Sequence, residues 1–127
     1  MWLDKAHDFR IIESIFGREP SLENVCLHSV LMNDDGASIA FRFDLNDFPD
    51  NPPKKWIQAG FNTAQITLSV WGLNRILISE WGVNNIGDIN ITYREKGVQL
   101  FFKSEDTIFC EGAFLRVENV SGYLNQA

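Results

Sequence analysis

Catalytic raw material is scarce in this sequence. It contains two histidines, His7 and His28, and two cysteines, Cys26 and Cys110. A zinc site needs three or four such ligands converging on one point, and no HExxH, His-x-His or clustered Cys spacing supplies them. No metal and no other cofactor is therefore expected. The count of Cys allows one disulfide, but two free, half-buried thiols in a reducing cytosol fit the wide spacing better. Neither a GxGxxG motif nor a P-loop is present, so no phosphate cradle is visible. No apolar run approaches the roughly 18 residues of a membrane-spanning helix. Met1-Trp2-Leu3-Asp4 does not begin like a signal peptide, so the expected location is the cytoplasm.

Positive charge is also in short supply. Eleven Lys and Arg face 17 Asp and Glu, a net charge of −6. Arg42, Lys54, Lys55, Arg94 and Lys103 are dispersed and not interleaved with aromatics, as single-strand binders require. A nucleic-acid partner, which calls for a basic surface, and an anionic membrane are both disfavoured. A basic protein would be attracted and steered. The plainer account is that the charge maintains solubility.

What the chain has in quantity is aromatic and aliphatic bulk: ten Phe, four Trp and two Tyr, with 45% hydrophobic residues overall. Its 127 residues suit one domain, residues 1–127, able to bury roughly two-thirds of its unfolded surface. The first segment reads as a short helix. Phe9, Ile12 and Phe16 recur at helical spacing, Asp4 or Asp8 serves as N-cap, and Gly17 and Pro20 end it. From there the period becomes two. Leu22 to Met32 and the alternating Ile39, Phe41, Phe43 and Leu45 flank the turn Asn33-Asp34-Asp35-Gly36 and predict a hairpin.

Residues 46–61 include Pro49, Pro52 and Pro53 and read as a long irregular loop, the best candidate for a protruding feature. Strands resume with Ile66, Leu68 and Val70, then Ile76 to Trp81, then Ile89, Ile91 and Tyr93. Lys96-Gly97 turns the chain into Val98, Leu100 and Phe102. Thr107 to Val117 reads as a last long strand, bulged at Gly112, and Val120 to Leu124 as a short edge strand. Trp71-Gly72-Leu73-Asn74 is echoed by Trp81-Gly82-Val83-Asn84, two similar turns in which Gly supplies an unusual φ and Asn caps the bend. The expected fold is mainly β (α+β): an antiparallel sheet of about seven strands, sandwiched or strongly curved, with one N-terminal helix packed on it.

Few residues are placed for chemistry. Cys26 and His28 share a strand face, but they stand side by side and nothing recognisable orients the imidazole. Asp34-Asp35 belongs to a turn. Asp44, Asp47 and Asp50 crowd the start of the long loop without the EF-hand spacing of a calcium site. They are solvated loop charge or an acidic patch for a basic partner. Trp71 and Trp81 end strands beside Gly and read as core or rim packing. Trp56 either pins the loop to the body or stands exposed as an interface anchor. No enzyme of a common kind is indicated.

Four stretches together resemble the bacterial immunity protein 50 family: Pro20-Ser21-Leu22-Glu23-Asn24-Val25, the strand Phe41-Arg42-Phe43-Asp44, the loop Asn51-Pro52-Pro53-Lys54-Lys55-Trp56, and Trp81-Gly82. The similarity runs over nearly the whole chain, including the helix ending in Phe16-Gly17. The resemblance implies a cytoplasmic protein encoded beside a polymorphic toxin, which binds that toxin domain and blocks it, and it carries over no catalytic residues. On this view Asp44, Asp47, Asp50, Trp56 and Trp81 are the expected contacts with a basic toxin. Two other classes stay open: a structural or adaptor domain that forms a homodimer through an exposed strand edge, and a small-ligand domain with a cavity inside a curved sheet.

Overall fold

The computed structural model describes residues 1–82 and 85–126. The segment from the N-terminus to the first helix runs through turns and is tied down. The Trp2 indole N–H donates to Pro20 O (3.1 Å), and the Tyr93 hydroxyl donates to Trp2 O (2.6 Å). Helix α1 runs over Arg10–Phe16 and buries Ile12 and Phe16, two of the positions expected from the helical spacing. Neither Asp4 nor Asp8 caps it. Phe9 holds the N-cap position without a side-chain hydrogen bond. The reason lies just upstream: His7 bridges to Arg116 as a short parallel pair, so the backbone there is committed to the sheet. Asp8 then turns it with φ 59° and places its carboxylate 2.8 Å from Arg116 Nε. Gly17 closes the helix in the left-handed region, φ 67°, as its position predicts.

Eight strands follow: β1 Val25–Asn33, β2 Ser38–Asp44, β3 Thr63–Trp71, β4 Arg75–Ile78, β5 Ile86–Arg94, β6 Gly97–Lys103, β7 Thr107–Gly112 and β8 Phe114–Tyr123. They form one unclosed antiparallel sheet in the order β4-β7-β6-β5-β1-β2-β3-β8. The period-two pattern does the sorting. Ile39, Phe41 and Phe43 of β2, Ala64, Ile66, Leu68 and Val70 of β3, and Val98, Leu100 and Phe102 of β6 all point into one core cluster, which Ile12, Phe16 and Trp2 complete.

Three differences from the sequence expectations have clear causes. The loop 46–61 is not wholly irregular, because helix α2, Lys54–Ala59, sits inside it. Pro53 stands at its N-cap, where a missing N–H costs nothing, and Gly60 ends it with φ 71°. The expected strand Ile76 to Trp81 ends at Ile78. The expected strand Thr107 to Val117 is two strands, broken at Ala113, and β8 absorbs the tail that looked like a separate edge. Of the two Trp-Gly turns, Gly72 has the left-handed φ of 64° and Gly82 does not. Val83 and Asn84 of the second turn lie outside the described residues.

The break at Ala113 makes the sheet curl. β7 and β3 stand five places apart in strand order, yet Ala113 N–H donates to Trp71 O at 2.7 Å. Gly112 backs directly onto β3. A Cβ on it would lie 2.6 Å from Val70 Cγ1 and 2.7 Å from Trp71 O. Gly112→Ala should therefore lower the unfolding free energy by about 2 kcal/mol, the usual cost of forcing a methyl into filled space. Gly82→Ala, whose added carbon meets Asp106 Oδ2 at 3.4 Å and nothing nearer among the described residues, should leave the urea midpoint nearly unchanged. Equal midpoints for the two variants would show that the close approach does not constrain the fold.

Candidate functional site

The acidic residues singled out in the sequence fall into two environments. The first is organised by Arg18, a residue the sequence pattern did not flag. Gly17 swings the chain out of α1 so that the Arg18 guanidinium meets the segment after β2. Its Nη1 lies 2.6 Å from Asp47 Oδ2 and its Nη2 2.8 Å from Oδ1, a two-pronged pair. Nε reaches Asp50 Oδ2 at 3.3 Å, and Nη2 also donates to Phe48 O at 3.1 Å. Asp47 accepts two backbone N–H groups as well, from Ser21 (3.0 Å) and Phe48 (2.8 Å). The Arg18 hydrogen bonds, opposed by burial and aided by Ser21, hold the Asp47 carboxyl down at about 2. Asp47 is a structural clamp between α1 and the loop, while Asp50 keeps most of its side chain in water.

The second environment surrounds Asp44, which alternation placed on the outer face of β2 beside Arg42. It is nevertheless only 6% exposed. The register of β1 slips between Leu27 and Ser29, and such a bulge re-aims the extra residue. That residue, His28, brings Nε2 to 2.8 Å from Asp44 Oδ2. Gln65, directly across on β3, donates to Oδ1 at 3.0 Å, and the Tyr123 hydroxyl from β8 donates to Oδ2. Burial pushes the Asp44 carboxyl up. The hydrogen bonds from His28, Tyr123 and Gln65 outweigh it and hold the pKa below the usual carboxylate value. The Tyr123 phenol is pushed up to about 12 by burial and by this same anion.

Asp44 lies on the floor of an open groove of about 600 Å³, walled by Asn24, Cys26, Asn46, Asn62 and Ile86. The Cys26 thiol is pushed up by burial and by the nearby Asp44 charge, which disfavours the thiolate that nucleophilic chemistry needs. No hydrogen bond joins it to His28 among the described residues, and His28 Nε2 is turned toward Asp44. Both cysteines are free, with Cys110 in the core. Among the described residues no three His, Cys, Asp or Glu side chains stand together in a way that would hold a metal ion.

The two tryptophans divide. Trp56, on α2, is 9% exposed. Its ring lies where a Cβ on Gly122 would be, 2.7 Å away, with Phe48 5.9 Å off. Trp56 thus pins the Pro-rich loop to β8. Trp81, just past β4, is 51% exposed. Among the described residues no hydrogen bond joins it to Asp44, Asp47 or Asp50, whose partners are Arg18, His28, Gln65 and Tyr123. Arg18, His28, Gln65 and Tyr123 complete the acidic region. None is adjacent in sequence to the Asp it holds, so tertiary structure alone reveals them.

Asp47 titrates lower in the folded chain than in the unfolded one, so its contribution is full above about pH 4 and fades as the pH falls toward about 2. Asp47→Asn should cost about 1–2 kcal/mol at neutral pH, discounted because Arg18 is partly solvated. The difference from wild type in urea midpoints should shrink on acidification. A gap that stays constant down to the lowest pH would remove the ion pair as its cause.

A search of curated proteins and a search of solved structures return no match. A family model described as Immunity protein 50 does match, over residues 9–123. That span begins one residue before α1 and ends with β8, so it takes in the Arg18 clamp, the Asp44 groove and both tryptophans. The chain belongs to the immunity protein 50 family.

Proposed function

We propose that this protein binds and neutralises a cognate toxin domain by protein–protein contact, in the cytoplasm of the cell that makes the toxin and of its sisters. It carries out no chemistry of its own. The observation that carries the proposal is the family match across residues 9–123. Two features support contact over catalysis. The groove above Asp44 is open, with its carboxylate already satisfied by three side chains. Its thiol is held in the protonated form.

The five residues take different parts in this proposal. Asp44, Asp47 and Trp56 hold the surface in shape from below. Asp50 keeps a largely exposed carboxylate beside Arg18, and Trp81 offers an exposed ring of the kind that anchors interfaces. With a net charge of −6, the preferred partner is a basic toxin domain, drawn in by complementary fields. No helix among the described residues is long and apolar enough to cross a membrane.

Trp81→Ala should weaken binding to the toxin domain encoded by the neighbouring gene about 30-fold, the loss of one anchor worth about 2 kcal/mol. Asp50→Lys should slow association about tenfold at low salt and leave dissociation nearly unchanged. Trp81 is exposed, so Trp81→Ala should keep the wild-type melting temperature, while Asp50→Lys, which sets a cation beside Arg18, should lower it only slightly. Surface-measured kinetics and protection of toxin-expressing cells provide the readouts. Undiminished affinity and protection in both variants would remove these residues from the contact.

A further inference from the structure

The two edges of the sheet are treated differently. The outer side of β8 is partly covered by the chain itself: His7 N–H donates to Leu115 O (2.8 Å), Val117 N–H donates to His7 O (2.9 Å), and the His7 ring stacks on Phe114 at 4.3 Å. Among the described residues β4 has no such cover, and no strand lies beyond it. It carries no Lys or Pro, and a strand of four residues with one charge, Arg75, at its start is all that blunts it. Its sequence is Arg75-Ile76-Leu77-Ile78, with Leu77 56% and Ile78 42% exposed.

The hydrogen-bond phase of β4 follows from its pairing with β7. Ser79 N–H donates to Thr107 O at 2.9 Å. By antiparallel alternation Leu77 and Arg75 then direct their backbone groups toward β7, opposite Phe109 and Glu111. Ile76 and Ile78 direct theirs to the open side. Two copies of β4 related by a two-fold axis at Leu77 match. Ile76 of each faces Ile78 of the other, giving four backbone hydrogen bonds. Leu77 faces its own copy as a close, non-hydrogen-bonded pair. Arg75 faces Ser79, so no like charges oppose. On the outer face Leu77 continues into a row with Phe109 and Phe101, whose rings lie 6.1 Å apart, and Arg75 stacks over Phe109. The strand is thus self-complementary in hydrogen bonding, apolar matching and charge.

We propose that the protein forms a two-fold homodimer through antiparallel pairing of β4 with β4 of a second copy, joining two eight-stranded sheets into one. The contact is isologous and therefore closed. Its small apolar area makes it a reversible association at the weak end of interfaces. Trp81 lies past the paired stretch and stays accessible, so the dimer is independent of the toxin contact proposed above.

Sedimentation velocity of the full chain over a concentration series should show a monomer–dimer equilibrium. Leu77→Lys, which puts two ammonium groups face to face across the axis, should raise the dissociation constant by at least about tenfold. Its circular dichroism and melting should stay those of wild type, since the side chain is exposed. In a Cys26→Ser background, Leu77→Cys should form a disulfide-linked dimer on mild oxidation, because a close pair brings the Cα atoms to about 4.5 Å. Arg75→Cys, facing Ser79, should not. A wild-type protein that stays monomeric at millimolar concentration overturns the proposal. So does a dimer that survives Leu77→Lys, or one in which Arg75→Cys cross-links and Leu77→Cys does not. Monomeric protein whose toxin binding is lost in Leu77→Lys also overturns it, and assigns the edge to an extended toxin segment instead.

Discussion

The approach of Gly112 and Ala113 to the end of β3 sets the shape of this molecule. An eight-stranded sheet left to its natural twist would offer one long apolar face to water. Here the chain leaves β7, passes Ala113 and pairs with β3 at the far side of the sheet, with the Ala113–Trp71 hydrogen bond marking the crossing. The inner faces of the two halves then close on each other, and Phe41, Phe43, Leu68, Leu100 and Phe102 reach nearly complete burial. The approach is possible only where residue 112 has no side chain. One methyl-sized space thus decides whether the two halves share a core.

The acidic residues show how net charge and usable surface charge differ. Asp47 is bound through both oxygens by Arg18 and is also held by two backbone N–H groups, and Asp44 is enclosed by three neutral or titratable donors. Both carboxylates are ionised, and both hold the loop and strand ends in register. The field they project outward is weaker than a count of Asp suggests, most clearly beside the compensating Arg18. The surface away from these pairs carries more of the effective negative potential.

Much of the architecture was legible because hydrophobic alternation is local. Ile39-Phe41-Phe43, Ile66-Leu68-Val70 and Val98-Leu100-Phe102 announce their buried faces without any knowledge of partners. The break between β7 and β8 also left a trace. The buried positions run 108, 110 and 112, then 115 and 117, a slip from even to odd that a single bulge at Gly112 does not fully express. Helix α2 was hidden by its prolines, which read as loop-formers until Pro53 is seen at a helix start. The site was less legible. Asp44 sits on the even-numbered outer face of β2, and His28, Gln65 and Tyr123, the last 79 residues away, enclose it there. The pairing of Arg18 with Asp47 spans 29 residues. Such partnerships come from how the sheet curls, and no periodicity within either segment encodes them. Trp56 and Trp81 look alike in sequence. They part company because one lies on α2 with its ring against Gly122 and the other follows a strand end.

The pairing of His7 with β8 bears on solubility as well as on shape. A sheet with two bare borders can recruit further copies without limit, each addition exposing a new border, and such growth ends in fibres. With His7 occupying one border, stacking by strand addition terminates once the opposite border is matched. Two main-chain bonds from a single residue near the start of the chain therefore blunt the first part of the β8 border.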